Sequence, residues 1–291
     1  MTRSADPPIL RLGLPKGRMH EAVTALLAEA GIRLRTSSRA YRPTVSHPGL
    51  RAKILKPQNI VEMLEVGSRD IGFTGADWVA ELDGGIVELL DTGLDPVEVV
   101  AAAPAAIIVD GWLPPRRLII ASEYERLTRA WIEKNELEAR FVRSYGATEV
   151  FPPEDADCII DNTATGSTLR ANRLDILDEI MSSSTRLYAN AAALDDPIRR
   201  EAIESFVLII EAVLEARRRV MVEVNVGRDR FEEVIAILPC MREPTVAPLH
   251  GEEGFAVKVA VPREDLPTLI PEIKARGGSD IVVSQPSQIV P

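Results

Sequence analysis

The feature that most constrains the fold is a repeated strand-to-turn-to-helix junction. Ile9 to Leu14 reads as a strand. After Pro15-Lys16-Gly17-Arg18, the apolar positions Met19, Ala22, Val23, Leu26, Leu27 and Ala30 recur at helical spacing and stop at Gly31. Lys53-Ile54-Leu55 precedes a helix with Ile60, Met63 and Leu64 inward. The short strand Asp70 to Phe73 then opens a second junction at Thr74-Gly75-Ala76-Asp77. Leu118 to Ala121, a helix from Glu123 to Asn135, Ala139 to Val142, and Asp157 to Asp161 continue the alternation. Such alternation predicts an α/β fold with parallel sheets and ligands at the carboxyl ends of strands.

The pattern changes twice. Between Pro96 and Pro104 the run Val-Glu-Val-Val-Ala-Ala-Ala reads as a crossover strand joining two α/β lobes. Asp196 to Arg219 reads as a long helix returning to the first lobe, with Ile198, Ala202, Phe206, Ile209 and Val213 as inward candidates. After Arg217-Arg218-Arg219, the residues Val220, Val222, Val224 and Val226 alternate with polar or larger neighbours, as in a half-buried strand. The predicted elements that follow are a helix (229–238), two strands (245–249 and 254–261), a helix (263–276) and a strand (280–284). Together they make a βαββαβ, ferredoxin-like module. The predicted domains are 1–98 with 190–218 as a first lobe, 99–189 as a second lobe, and 219–291 as the C-terminal module.

At 291 residues with 46% hydrophobic content, the chain is long enough for two or three cored domains. Its 34 basic and 44 acidic residues give a formal charge of −10, which argues against non-specific nucleic-acid or anionic-membrane binding. Met1 to Leu10 carries Asp6, Pro7 and Pro8 and reads as neither signal peptide nor membrane span. The two cysteines, Cys158 and Cys240, are too few for a disulfide framework or a cysteine-rich zinc site, so the cytoplasm is the expected compartment.

The chemistry concentrates in Asp157-Cys158-Ile159-Ile160-Asp161-Asn162-Thr163-Ala164-Thr165-Gly166-Ser167-Thr168. A buried strand ends in an acid that can hold sugar hydroxyls. The following turn offers hydroxyls and free backbone N–H groups, the means by which phosphate is cradled. Together they point to a phosphoribosyl ligand, against the ordinary reading of a strand leaving into a polar loop.

Six segments in order carry a resemblance: Leu14-Pro15-Lys16-Gly17-Arg18; Gly72-Phe73-Thr74-Gly75-Ala76-Asp77; Gly146-Ala147-Thr148-Glu149-Val150; Asp157 to Asp161; Thr165-Gly166-Ser167-Thr168-Leu169-Arg170-Ala171-Asn172; and Glu243-Pro244-Thr245-Val246-Ala247-Pro248-Leu249. With them the chain resembles the ATP phosphoribosyltransferase family in its long form, over nearly its whole length. The resemblance implies two lobes like those of type II periplasmic binding proteins and a C-terminal histidine-sensing domain. It implies transfer of phosphoribosyl from 5-phosphoribosyl diphosphate to N1 of ATP with release of diphosphate, the first step of histidine biosynthesis. Magnesium is the implied cofactor, histidine the implied inhibitor, and a homo-oligomer, dimer and hexamer, the implied assembly. Adenine N1 has a free lone pair, so His20, His47 and His250 need no catalytic role.

By the same resemblance Asp161 holds the ribose hydroxyls, and Ala164, Thr165, Gly166, Ser167 and Thr168 surround the 5-phosphate. Glu149 and Asp157 line the same cleft, with a strand-edge surface acid as the alternative for Asp157. Lys16 and Arg18 meet diphosphate or triphosphate, unless they are a solvated helix-start pair. Thr74, Gly75 and Asp77 form a substrate-binding junction, although Asp77 can simply cap a helix and Gly75 permit a turn. Asn225, Thr245 and Asp280 align with histidine contacts; a plain dimerisation module is the alternative.

Two departures stand out. Lys56-Pro57-Gln58-Asn59 replaces a common Arg-Pro-Arg-Asp, so Gln58 offers no guanidinium fork. Asn162 takes a commonly apolar position and is expected to alter loop packing. The first departure keeps a catalytically silent regulatory relative in view. The two-lobed architecture likewise admits a small-molecule binding protein, against which the phosphoribosyl loop and the opening residues weigh.

Overall fold

The computed structural model describes residues 9–35, 41–241, 243–251 and 253–290; the Met1 to Leu10 reading therefore falls mostly outside the described residues. Those residues divide into two compact units. One takes the chain up to residue 25 and 32–204; the other takes 26–31 and 205 onward, so the boundary falls within a helix after Glu204.

In the larger unit, β1 (Leu10–Pro15) leads to α1 (Met19–Glu29), and β2 (Leu34–Arg35) with β3 (Thr44–Val45) forms a small ribbon. Then come β4 (Leu50–Leu55), α2 (Pro57–Glu65), β5 (Ile71–Gly75), α3 (Ala76–Leu82) and the 18-residue β6 (Val87–Pro104). β7 (Leu118–Ser122), α4 (Glu125–Lys134), β8 (Ala139–Arg143), β9 (Cys158–Thr163), the short α5 (Ser167–Ala171) and the 16-residue β10 (Leu174–Ala189) follow. The chain continues through α6 (Ala191–Asp195) into α7 (Pro197–Arg218).

Eight strands make one sheet in the order β4-β1-β5-β10-β6-β9-β7-β8. The outer trios, β4-β1-β5 and β9-β7-β8, are internally parallel, as the alternation predicts. The sheet is not parallel throughout, because β10 runs antiparallel to both β5 and β6, and β6 antiparallel to β9. The crossover read between Pro96 and Pro104 is the end of β6, and its partner β10 has no clean period-two signal in the sequence. Its inner half buries the polar Ser183, Ser184 and Thr185 in a row before the apolar Leu187, Tyr188 and Ala189.

Register explains where a site can form. β5 ends at Gly75 opposite Thr185 of β10, while β9 ends at Thr163 opposite Glu98 of β6, which itself faces Ser182 of β10. The carboxyl ends of the two parallel trios therefore converge on Ser182–Thr185. Glycine is required beside them. A Cβ at Gly72 would stand 2.6 Å from Ile60 Cγ2, so α2 can lie close on β5 only because residue 72 has no side chain. On α2 the buried positions are Ile60, Val61 and Leu64. Around the second trio, Ile120, Cys158, Ile160, Val99 and Ala101 share a core with Tyr124 and Trp131.

In the smaller unit, β11 (Arg219–Gly227), α8 (Phe231–Ile235), β12 (Thr245–Pro248), β13 (Gly254–Pro262), α9 (Leu266–Ala275) and β14 (Gly278–Ser284) follow the predicted βαββαβ order. The strands form an antiparallel sheet ordered β12-β13-β11-β14. Val220, Val222, Val224 and Val226 face a core with Val257, Val259, Val261, Val234, Leu269 and Ile273. Met221, Glu223 and Asn225 point the other way, the alternation expected of a sheet covered on one face. On α7, Ile203, Phe206, Ile210 and Val213 are buried, whereas the predicted inward residue Ile198 is exposed. No helix of the described residues is long and apolar enough to cross a membrane.

Candidate active site

A cavity of about 340 Å³ opens at the carboxyl end of β9, lined by Arg18, Glu149, Asp161, Asn162, Thr163, Ala164, Thr165, Ser167, Thr168 and Leu169. The apolar run Cys158-Ile159-Ile160 buries the strand. Where burial ends, the chain turns through Gly166, whose φ of +68° is a left-handed conformation open to glycine at little cost. The Gly166 N–H donates to Thr163 Oγ1 at 2.9 Å, and Arg170 Nη2 donates to the Thr165 carbonyl at 2.9 Å, so the loop is pinned from both sides. Thr165 Oγ1 donates to Ser167 Oγ at 3.0 Å. Hydroxyls and first-turn N–H groups are thereby gathered at one point, the chemistry that receives a phosphate.

Asp161 is half-buried beneath this loop. Burial pushes its carboxyl up to about 6, with the charges of Glu149 and Glu123 adding to the rise; hydrogen bonds from the Asn162 N–H and the Thr148 side chain oppose it. The Asn162 N–H lies 2.7 Å from Asp161 Oδ1. Thr148 is itself tied to Ser144 by a 2.8 Å hydroxyl contact. Glu149 follows it in a 3-10 turn, Thr148–Val150, entered through left-handed Ala147. Arg18 arrives from the other trio of strands, at the turn after β1 in which Gly17 has φ +85°.

Seven of the predicted residues therefore line one cavity: Arg18, Glu149, Asp161, Ala164, Thr165, Ser167 and Thr168. Gly166 makes the turn between Thr165 and Ser167 without itself lining the cavity. Lys16 lies on the same turn as Arg18 but sits over the Tyr41 ring, 5.4 Å from its centroid. Asp157 lies apart from this cavity. It precedes β9, at the opposite end of the strand from Asp161 and about 13 Å away at strand rise. There it takes Arg116 at 2.6 Å and the Ile119 N–H at 2.8 Å, so it fastens β9 to β7 and does not line the cavity.

The second junction, Thr74-Gly75-Ala76-Asp77, lies apart from this cavity. Thr74 is fully buried and donates to the Pro57 carbonyl at 3.1 Å, fixing the start of α2. A Cβ on Gly75 would lie 2.1 Å from Asp77 Oδ1. Asp77, 5% exposed, accepts Tyr124 Oη at 2.6 Å and Ser183 Oγ at 2.8 Å. None of the three lines the cavity. Sequence reasoning missed Tyr124 and Ser183, since a lone tyrosine at a helix start and a serine inside a strand give no signal of this partnership. It also passed over Glu123 and Thr163.

In the smaller unit Asn225 Nδ2 donates to Asp280 Oδ2 at 3.1 Å, uniting two of the predicted histidine contacts. Thr245 stands opposite Lys258, which pairs with Glu223 at 2.7 Å. Two strand spacings and two residues separate Thr245 from Asn225, about 12 Å. Thr245 lines a different cavity of about 350 Å³ with Met221, Cys240, Glu243 and Lys258.

Comparison with known proteins gives the family of the chain. The family model described as ATP phosphoribosyltransferase matches residues 56–212, and that described as the HisG C-terminal domain matches 216–286. The ATP phosphoribosyltransferase of Pelodictyon phaeoclathratiforme is 36% identical over 278 residues, covering 94% of this chain and 95% of that protein. That of Pelotomaculum thermopropionicum is 35% identical over 287 residues, covering 97% and 99%. A solved ATP phosphoribosyl transferase (HisG:HisZ) complex from Thermotoga maritima superposes with a TM-score of 0.64 at 27% identity, covering 71% of this chain and 99% of that one. With both models in sequence and relatives matched end to end, the chain belongs to the ATP phosphoribosyltransferase family and carries that enzymatic activity.

Proposed function

We propose that the cavity at the end of β9 seats the phosphoribosyl group of 5-phosphoribosyl diphosphate while N1 of ATP attacks its anomeric carbon. The observation that carries this reading is the junction of one half-buried acid, Asp161, with the hydroxyls of Thr165, Ser167 and Thr168 in a single 340 Å³ space. Asp161 accepts the ribose hydroxyls, and the loop donates to the 5-phosphate. In the reaction the N1–C1′ bond forms from the adenine lone pair as the C1′–O bond breaks, and that electron pair leaves with diphosphate. The transition state has oxocarbenium character, which the neighbouring negative charge of Glu149 stabilises. Arg18 faces the departing phosphates.

Magnesium enters this reading with the donor. Among the described residues no group of three or more histidine, cysteine or acidic side chains can hold an ion. A magnesium ion needs none, because it keeps water and takes phosphate oxygens as ligands. Bound to diphosphate it supplies charge neutralisation; no side chain of this chain is assigned to it.

The eight-stranded sheet supports a two-lobe description, 1–98 with 190–218 and 99–189, joined by β6 and β10. The βαββαβ order and the 2-3-1-4 strand sequence of the smaller sheet support a ferredoxin-like regulatory module over 219–291. Histidine binds this module in a homo-oligomer, dimer or hexamer, in the cytoplasm. The separation of about 12 Å between Thr245 and Asn225 at ideal strand spacing, with Asp280 one strand further still, favours a ligand held between modules of different subunits, one contact set from each. The decisive experiment mixes protein, ATP, 5-phosphoribosyl diphosphate and magnesium and follows the ultraviolet absorbance of phosphoribosyl-ATP. Growth of absorbance that requires all three additions supports the reading, and a folded protein that binds both substrates without product overturns it.

A further inference from the structure

Four side chains from four different elements form one hydrogen-bonded chain beneath the cavity. Asn162 Nδ2, at the end of β9, donates to Tyr124 Oη at 2.7 Å. Tyr124 Oη, at the entrance to α4, donates to Asp77 Oδ2 at 2.6 Å. Ser183 Oγ, on β10, donates to Asp77 Oδ1 at 2.8 Å and accepts the Asp77 N–H at 3.0 Å. The run therefore crosses from the β9-β7-β8 trio, through the crossover strands, to the first turn of α3. It is held firmly. Tyr124 is fully buried, its ring lies 4.6 Å from that of Trp78, and its N–H donates to Ser122 Oγ at 2.9 Å. Burial, together with the Asp77 charge and hydrogen bond, pushes the phenol well up, so it remains a donor to Asp77.

Asn162 sits between this chain and the cavity. Its side chain is anchored to Tyr124, and its backbone N–H donates to Asp161 Oδ1 at 2.7 Å. One residue thus joins the acid of the cavity to the first lobe. We propose that Asn162 is a positioning residue: by bonding Tyr124, and through it Asp77 and Ser183, it fixes the orientation of Asp161 and couples the phosphoribosyl loop to the first lobe. An apolar side chain at 162 would leave Tyr124 its bond to Asp77 but release the loop from it. The inference rests on the phosphoribosyl reading for its consequence in donor binding, not for the coupling itself.

The groups facing Asp161 define a readout that simple destabilisation does not move. Glu149 and Glu123 raise its affinity for a proton, the Asn162 N–H and Thr148 lower it, and Arg18 lines the same cavity. Loosening the Asn162 backbone weakens an opposing contact, so the Asp161 midpoint moves to higher pH.

The test uses the full chain as Asn162→Ala, Tyr124→Phe and the double variant, with melting curves to establish folding; Ser183→Ala replaces any variant that does not fold. Titration with 5-phosphoribosyl diphosphate is expected to show affinity about fivefold weaker in each single variant, with the double variant no weaker than either, because both cut one chain. Carbon-13 NMR of the Asp161 carboxyl in the ligand-free protein is expected to show its midpoint about half a pH unit above the parent's in Asn162→Ala. Unchanged affinity in the singles, losses that multiply in the double, or an unmoved midpoint would overturn the coupling. If the parent binds no donor, the phosphoribosyl reading fails, and the NMR midpoint still decides whether Asn162 positions Asp161.

Discussion

Asp161 shows how one residue acquires its chemistry from its surroundings. Burial and two neighbouring acids lift its carboxyl to about 6, above the usual range for aspartate, so its charge changes close to neutrality. Because the folded pKa exceeds the unfolded one, the folded state holds more protons between about 4 and 6, and this group's contribution to stability declines as pH rises through that window. Donor binding runs the opposite way: ribose hydroxyls are accepted best by the ionised form. Affinity for 5-phosphoribosyl diphosphate is expected to weaken as pH falls through about 6, and Asp161→Asn to flatten that dependence; titration calorimetry across pH measures both. Asp157 gives the contrasting expectation. Since it ties Arg116 and the Ile119 N–H at the far end of β9, Asp157→Asn should lower the melting temperature yet leave turnover within about twofold of the parent. A tenfold fall in kcat with an unchanged melt would return Asp157 to the site. Type and order of residues made Asp161 and its loop legible, because strand burial followed by Thr-Gly-Ser-Thr is local information. The partners of Asp157 were not legible, since an acid at the start of a strand and one at its end look alike without the neighbouring strands. Asn162 was visible as a departure but not as a bond to Tyr124, 38 positions away.

At the scale of elements, helical and strand periodicities located α1, α2, α4 and β11 to within a few residues, because each buries one stripe or one face. β10 escaped for the same reason. It is covered by strands on both edges, and its buried Ser183, Ser184 and Thr185 are satisfied by hydrogen bonds, not apolar contact: Ser183 to Asp77 and Ser184 to Asp91. A mixed sheet is thus the cost of joining two parallel trios with two long strands of opposite direction. Packing between elements supplies its own expectation. Gly72→Ala places a methyl 2.6 Å from Ile60 Cγ2, so α2 must lift from β5, and chemical denaturation should show a loss of about 1–3 kcal/mol. Equal stability would mean that α2 does not rest on β5 as described.

For the whole molecule, two units of different architecture share one chain, and family matches fall on either side of residue 214. If the smaller unit senses histidine, its ligand acts only as far as it binds two states of the assembly differently. Thr245→Ala should raise the histidine concentration needed for inhibition while leaving uninhibited turnover nearly unchanged. An identical inhibition curve would remove Thr245 from the contact set. The βαββαβ order was legible from alternation alone, whereas the separation of Thr245 from Asn225 and Asp280 depends on strand order, which no single strand records. The central claim remains the cavity at the end of β9, and the most direct measurement is calorimetric titration of 5-phosphoribosyl diphosphate into the parent and Thr168→Ala. The parent is expected to bind and the variant to bind roughly tenfold to a hundredfold more weakly, the loss of one hydrogen bond to a charged group, with the same melting temperature. Equal affinity in the two proteins would contradict the assignment of the loop.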